Sequence, residues 1–138
     1  MAKSKKTEKN HPIAIIGGGP AGVSAAIAAA KKYKNIILYD KNPEPVKKLS
    51  SIGAIPLLSA EQMTSEKFIK AFGDRGGFIK PALKSFSWKE LSKFFKDMGI
   101  KISSNGSNKL LISNDEVVRL KEVFKETVES AGIVYKKS

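Results

Sequence analysis

Ile13-Ala14-Ile15-Ile16-Gly17-Gly18-Gly19-Pro20-Ala21-Gly22 is the stretch that decides the fold. Together with Pro12, the four residues before the glycines form a short continuous apolar run, the pattern of a central strand in a parallel sheet. A glycine turn follows, and then a helix predicted from Pro20 to about Tyr33. Pro20 falls in the first turn of that helix, where a missing N–H costs nothing. The small residues Ala21, Gly22, Ser24, Ala25, Ala26, Ala28 and Ala29 let the helix lie close against a sheet. Asn35-Ile36-Ile37-Leu38-Tyr39-Asp40 reads as the second strand, completing a βαβ unit of the Rossmann type. Each glycine has a separate task in such a turn. Gly17 lets the chain leave the strand tightly, Gly19 brings bare backbone to a pyrophosphate, and Gly22 lets helix and strand pack closely. The helix N-terminus then points free N–H groups and its positive dipole end at the phosphates. Asp40 lies 23 residues after Gly17, where a carboxylate takes the ribose hydroxyls of the adenosine half.

The chain of 138 residues is long enough for one domain with a real core. Hydrophobic residues make up 41% and charged residues 28%, the composition of a globular protein. No apolar run approaches the roughly 20 residues of a membrane span. No apolar segment of a secretory signal follows the basic start Met1-Ala2-Lys3-Ser4-Lys5-Lys6. The absence of cysteine excludes disulfides, thiolate chemistry and Cys-ligated zinc, and no metal site is expected. This composition fits a cytoplasmic protein. The net charge of +12 is spread along the chain and reads as a lysine-rich solvated surface. Such a field also attracts phosphates. Nucleic acid as partner is disfavoured, because Arg75 and Arg119 are the only arginines and no RNA-binding or zinc-finger signature occurs.

Residues 1–11 read as a basic tail and 12–138 as a single Rossmann-like domain of the α/β class. Lys41-Asn42-Pro43-Glu44-Pro45 is a loop, and 46–58 is apolar but irregular. Thr64-Ser65 caps a short helix to Ala71, and Gly73 with Gly76-Gly77 breaks the chain. Ser87-Trp88-Lys89-Glu90 is a capping box opening a helix to Met98, with Gly99 as its stop. Ile100 to Ser103 and Lys109 to Ser113 flank Asn105-Gly106, the pattern of a hairpin. Ser113 with Glu116 caps a further helix carrying Val117, Leu120, Phe124, Val128 and Ala131 on one face. Gly132 ends it, and Ile133-Val134-Tyr135 starts another strand.

Ile15 to Gly22 followed by Asp40-Lys41-Asn42-Pro43 resembles the N-terminal part of BaiN-type (YhiN-type) NAD(P)/FAD-dependent oxidoreductases. Phe78-Ile79, Ala82-Leu83, Phe86-Ser87, Phe94-Phe95 and Gly99-Ile100 are similar to that family's segment after the second strand. Ser113-Asn114-Asp115 through Gly132-Ile133 is similar to the helix and strand that follow. The resemblance implies an FAD-dependent oxidoreductase with FAD as cofactor and NAD(P) as a possible second nucleotide. Two departures stand out. The family's second glycine signature, of the form SGGGRCN, is replaced by Lys48-Leu49-Ser50-Ser51-Ile52-Gly53-Ala54-Ile55-Pro56-Leu57, in which only Lys48, Leu49 and Gly53 match. Family members also carry an inserted domain and a C-terminal return that this sequence does not reach. The expectation is a truncated or split member holding the ADP moiety of FAD, with a second polypeptide completing the flavin site. The nucleotide-binding set implied is Gly17, Gly18, Gly19, Pro20, Ala21, Gly22, Asp40, Lys41 and Lys48.

No catalytic residue is assigned. His11 belongs to the tail, Trp88 to a helix start, Glu90 to its cap and Asp74-Arg75 to a glycine-rich loop. Hydride chemistry would belong to the cofactor. Two other readings stay open: a non-catalytic nucleotide-binding or interaction module, and a basic nucleic-acid-associated protein.

Overall fold

Apolar strands alternating with a small-residue helix bury most when the strands run parallel and the helix crosses one face. That is the arrangement in the computed structural model, which describes residues 11–51, 53–56, 64–104 and 110–138. Strand β1 (Ile13–Ile16) leads into helix α1 (Pro20–Ala30) and then strand β2 (Ile36–Asp40). Strand β6 (Val134–Lys137) closes the sheet in the order β1-β2-β6, with both pairings parallel. Ile13 pairs with Ile36 and Ile15 with Leu38, while Leu38 pairs with Tyr135 and Asp40 with Lys137. The result is a Rossmann-like parallel sheet. Val23 and Ala26 of α1 and Leu38 of β2 are completely buried, and Ile36 nearly so. Burying each larger side chain contributes about 1.5–3 kcal/mol.

Two expectations change here. Among the described residues β2 is the central strand, and β1 lies at the sheet margin with Ile16 81% exposed. Helix α1 ends at Ala30 with Lys31 as its C-cap, short of Tyr33, which is 58% exposed and gains nothing from continuing the helix.

The chain divides into two compact units. One holds the chain up to Lys48 together with Lys121–Ser138, and so contains the parallel sheet. The other is Leu49–Leu120. In the second, helix α2 (Ser65–Ala71) is capped by Thr64, whose side chain accepts from the Lys67 N–H. Gly73, at φ +55, breaks the chain after α2 as expected, whereas Gly76 and Gly77 do not. Gly73 opens a 3-10 turn through Arg75, and Gly76 begins helix α3 (Gly76–Ser85). A Cβ at Gly76 would stand 2.3 Å from the Ile69 carbonyl oxygen, so this glycine serves the close approach of α2 and α3. Helix α4 (Trp88–Asp97) opens with the capping box: Ser87 N–H donates to Glu90 at 2.8 Å, and the Ser87 hydroxyl also bonds that carboxylate. Gly99, at φ +70, stops it.

The irregular 46–58 stretch contains a 3-10 turn (Lys47–Ser51) and strand β3 (Ile55–Pro56). β3 pairs antiparallel with β5 (Leu110–Ile112), which also pairs with β4 (Ser103–Ser104). The Asn105-Gly106 turn lies outside the described residues. Helix α5 (Asn114–Ser130) buries Val117, Leu120, Phe124 and Val128 as read, but Ala131 is exposed beyond its end. Gly132 at φ +67 lets the Ile133 N–H reach the Val128 carbonyl, which turns the chain into β6. Among the described residues, no helix is long and apolar enough to cross a membrane.

Candidate functional site

The turn after β1 is built from glycines that answer different constraints. Gly17 takes φ +105, a conformation that side chains resist, and its N–H donates to the Tyr39 carbonyl at 2.8 Å. A Cβ at Gly22 would stand 1.7 Å from the Gly17 carbonyl oxygen, so helix and turn touch there through bare backbone. A Cβ at Gly18 would crowd the Asp40 Cβ and the Tyr135 ring, each at 3.0 Å. Gly19 differs from all three. Its backbone (φ −75, ψ 178) is open to any residue, and a Cβ there would meet nothing within 4 Å.

Gly19 is also the N-cap of α1 and brings no side chain to cap it. With Pro20 next and no acid in the first turn, the helix end keeps its positive dipole and its first free N–H groups uncompensated. Gly18, Gly19 and Pro20 form one wall of a cleft of about 210 Å³. Asp40, Lys41, Asn42, Val46, Lys47 and Lys48 form the rest. Three lysines against one carboxylate give the lining an excess of positive charge suited to a phosphorylated ligand.

A match to the family of the HI0933-like protein Rossmann domain extends over residues 11–138. The chain belongs to this family. Shorter likenesses fall on larger proteins. The dihydrolipoyl dehydrogenase of Bacillus subtilis (strain 168) is 59% identical over 29 residues, 21% of this chain and 6% of that protein. The NADH oxidase of Thermoanaerobacter brockii is 46% identical over 37 residues, 27% of this chain and 6% of that protein. Among solved structures, Thermovibrio ammonificans THI4 superposes with a TM-score of 0.54 at 13% identity, over 91% of this chain and 37% of that one. This last likeness concerns fold. The chain thus spans a small part of the length of the relatives it matches.

In this HI0933-like Rossmann domain the Asp40 carboxylate lines the cleft beside Gly18 and is held by three donors. Gly18 N–H donates to Oδ2 at 2.6 Å, while the Asn42 N–H and carboxamide N–H both donate to Oδ1 at 2.7 Å. The bonds from the backbone of Asn42 and then Gly18 hold the Asp40 carboxyl below the ordinary carboxylate range. A carboxyl with a lowered native value binds fewer protons when folded than when unfolded. Its stabilising effect is therefore complete above the ordinary aspartate value of about 3.9 and is lost as pH falls through the lower native value. Asp40→Asn should be less stable than wild type at neutral pH and lose less stability on acidification below about pH 4. Chemical denaturation at a series of pH values measures both.

The site uses residues the sequence did not single out. Tyr135, from β6, donates its hydroxyl to the Asn42 carbonyl at 3.0 Å and packs against Gly18. Burial, and then the charges of Asp40 and Glu44, raise its ionisation above the usual range, so it remains a donor at neutral pH. Val46 is buried at φ +48, a strained conformation for a β-branched residue, and its N–H bonds the Gly18 carbonyl at 2.7 Å. Glu44 meets Lys121 of α5 at 2.9 Å, tying the loop after β2 to that helix. Of the residues read from the sequence, Gly18, Gly19, Pro20, Asp40, Lys41 and Lys48 converge on the cleft. Gly17 and Gly22 meet through backbone at the turn and Ala21 lies exposed in the first turn of α1; these three are not among the residues lining the cleft. His11, Asp74 and Arg75 are exposed, and Trp88 is half-buried at the start of α4.

Proposed function

We propose that this domain holds the ADP moiety of FAD, within an NAD(P)/FAD-dependent oxidoreductase of the BaiN type. The observation that carries this reading is Gly19. Neither its backbone conformation nor its surroundings require glycine, yet it stands bare on the cleft at an uncapped helix N-terminus. A bare backbone there serves a ligand that must come close, and the helix end favours an anionic one. The pyrophosphate lies over Gly18 and Gly19, with Lys41 and Lys48 nearby, and the adenosine ribose reaches Asp40. When bound, the flavin supplies the redox chemistry. The chain's own residues bind and orient its adenosine half.

The cleft is smaller than the roughly 300–1,000 Å³ of ordinary ligand pockets. In this reading the isoalloxazine half therefore lies beyond it, against groups that a second polypeptide supplies. NAD(P) as the second nucleotide and a cytoplasmic setting belong to the same proposal.

Asp40 sets the choice of adenosine nucleotide. In this reading the carboxylate accepts directly from the ribose, whereas the lysines are exposed and screened by salt. ADP should bind more tightly than 2′-phosphorylated ADP, and Asp40→Asn should narrow the difference. Calorimetric titration of both nucleotides tests this; tighter binding of the 2′-phosphorylated form by wild type removes Asp40 from the ribose.

A further inference from the structure

Asp40 has less to offer a ribose than its position suggests. A carboxylate presents about four acceptor positions. Oδ1 already accepts two N–H groups from Asn42, and Oδ2 accepts the Gly18 N–H. One position on Oδ2 is left, enough for one hydroxyl, while a ribose diol presents two.

The second group stands beside it. The turn that follows β2 is closed by the Asn42 N–H on Asp40 Oδ1, a bond for which any side chain at position 42 would do. The carboxamide of Asn42 adds a second donor to an oxygen already served. Because a carboxylate only accepts, the carboxamide must turn its N–H toward Asp40, leaving its carbonyl oxygen and second N–H for other partners. Among the described residues, no hydrogen bond reaches that carbonyl oxygen, and Asn42 lines the cleft. The residue is also pre-set. Pro43 restricts it to extended conformations, and its N–H and C=O are fixed by Asp40 and Tyr135. A ligand group meeting it loses little freedom in the protein.

We propose that Asn42 is a ribose-binding residue and that the two side chains divide the diol, Asp40 Oδ2 taking one hydroxyl and the Asn42 carboxamide the other. The inference rests on the ADP-binding reading. It makes this cleft selective for an intact ribose through two residues two positions apart.

The test titrates ADP, 2′-deoxy-ADP and 3′-deoxy-ADP into wild type, Asn42→Ala and Asp40→Asn, with thermal melts of each protein. Asn42→Ala should weaken ADP roughly threefold to tenfold, the size of one hydrogen bond. It should weaken one deoxynucleotide equally and leave the other, which already lacks the hydroxyl Asn42 takes, unchanged. Asp40→Asn should show the mirror pattern. Asn42→Ser, a residue at home in the same turn, repeats the comparison independently of the fold of Asn42→Ala. Equal weakening of all three nucleotides by both Asn42 variants would mean that Asn42 only steadies Asp40, and overturns the division of the diol. No weakening of any nucleotide overturns it as well. A wild type that binds none of the three nucleotides overturns the ADP reading, and this inference with it.

Discussion

Gly22→Ala should cost about 3 kcal/mol of stability or more, lowering the melting temperature by roughly 10 °C. The reason is a contact of backbone with backbone. A methyl group at this position would lie 1.7 Å from the Gly17 carbonyl oxygen and 2.9 Å from its carbon. No side chain can rotate away to make room. Either α1 moves off the turn, exposing Val23 and Ala26, or Gly17 leaves the φ +105 conformation that carries the chain out of β1. Both routes loosen the packing of α1 on the sheet. Thermal and denaturant melts of wild type and variant read the effect, and equal melts would show that helix and turn are not in this contact.

Gly19→Val should do the opposite: leave the melt close to wild type and cut ADP affinity at least about tenfold, or ~1.4 kcal/mol. An extended φ and ψ suits a β-branched residue, and the space around a Cβ is empty of protein. In the proposed binding mode the pyrophosphate approaches through that emptiness, so a branched side chain would occupy the ligand's place rather than the fold's. The pair of variants separates two reasons for glycine in one turn. Calorimetric ADP titrations beside melts of the same samples provide the check; unchanged ADP affinity in a folded Gly19→Val removes the turn from the site.

The opening unit could be read from sequence because its constraints are local. An apolar run, a glycine turn, a helix of small residues and a second apolar run lie within 28 residues, from Ile13 to Asp40, and each fixes the next. The capping box at Ser87 and Glu90 was legible for the same reason. What escaped depends on contacts between distant residues. Ile133-Val134-Tyr135 announces a strand, but nothing near it tells that β6 lies parallel to β2, or that Tyr135 bonds Asn42 across 93 positions. Gly76 has the local signature of a breaker, and only its approach to Ile69 shows that it is a packing residue. Val46 and Lys47 reach the cleft from a stretch without periodicity, where pattern carries no information. Asn42 was legible as part of the loop after the second strand and of the stretch that carries the family resemblance, with no role of its own. Its second bond to Asp40, which restricts what the carboxylate can do, needs coordinates.

In the proposed function this cleft receives the adenosine diphosphate half of a flavin dinucleotide. The most direct test is parallel calorimetric titration of wild type with ADP, FAD and FMN. FMN carries the isoalloxazine and one phosphate but no adenosine. Saturable binding of ADP and FAD with similar affinity, and no measurable binding of FMN, is the predicted result. FMN binding as tight as FAD, with no binding of ADP, would contradict it.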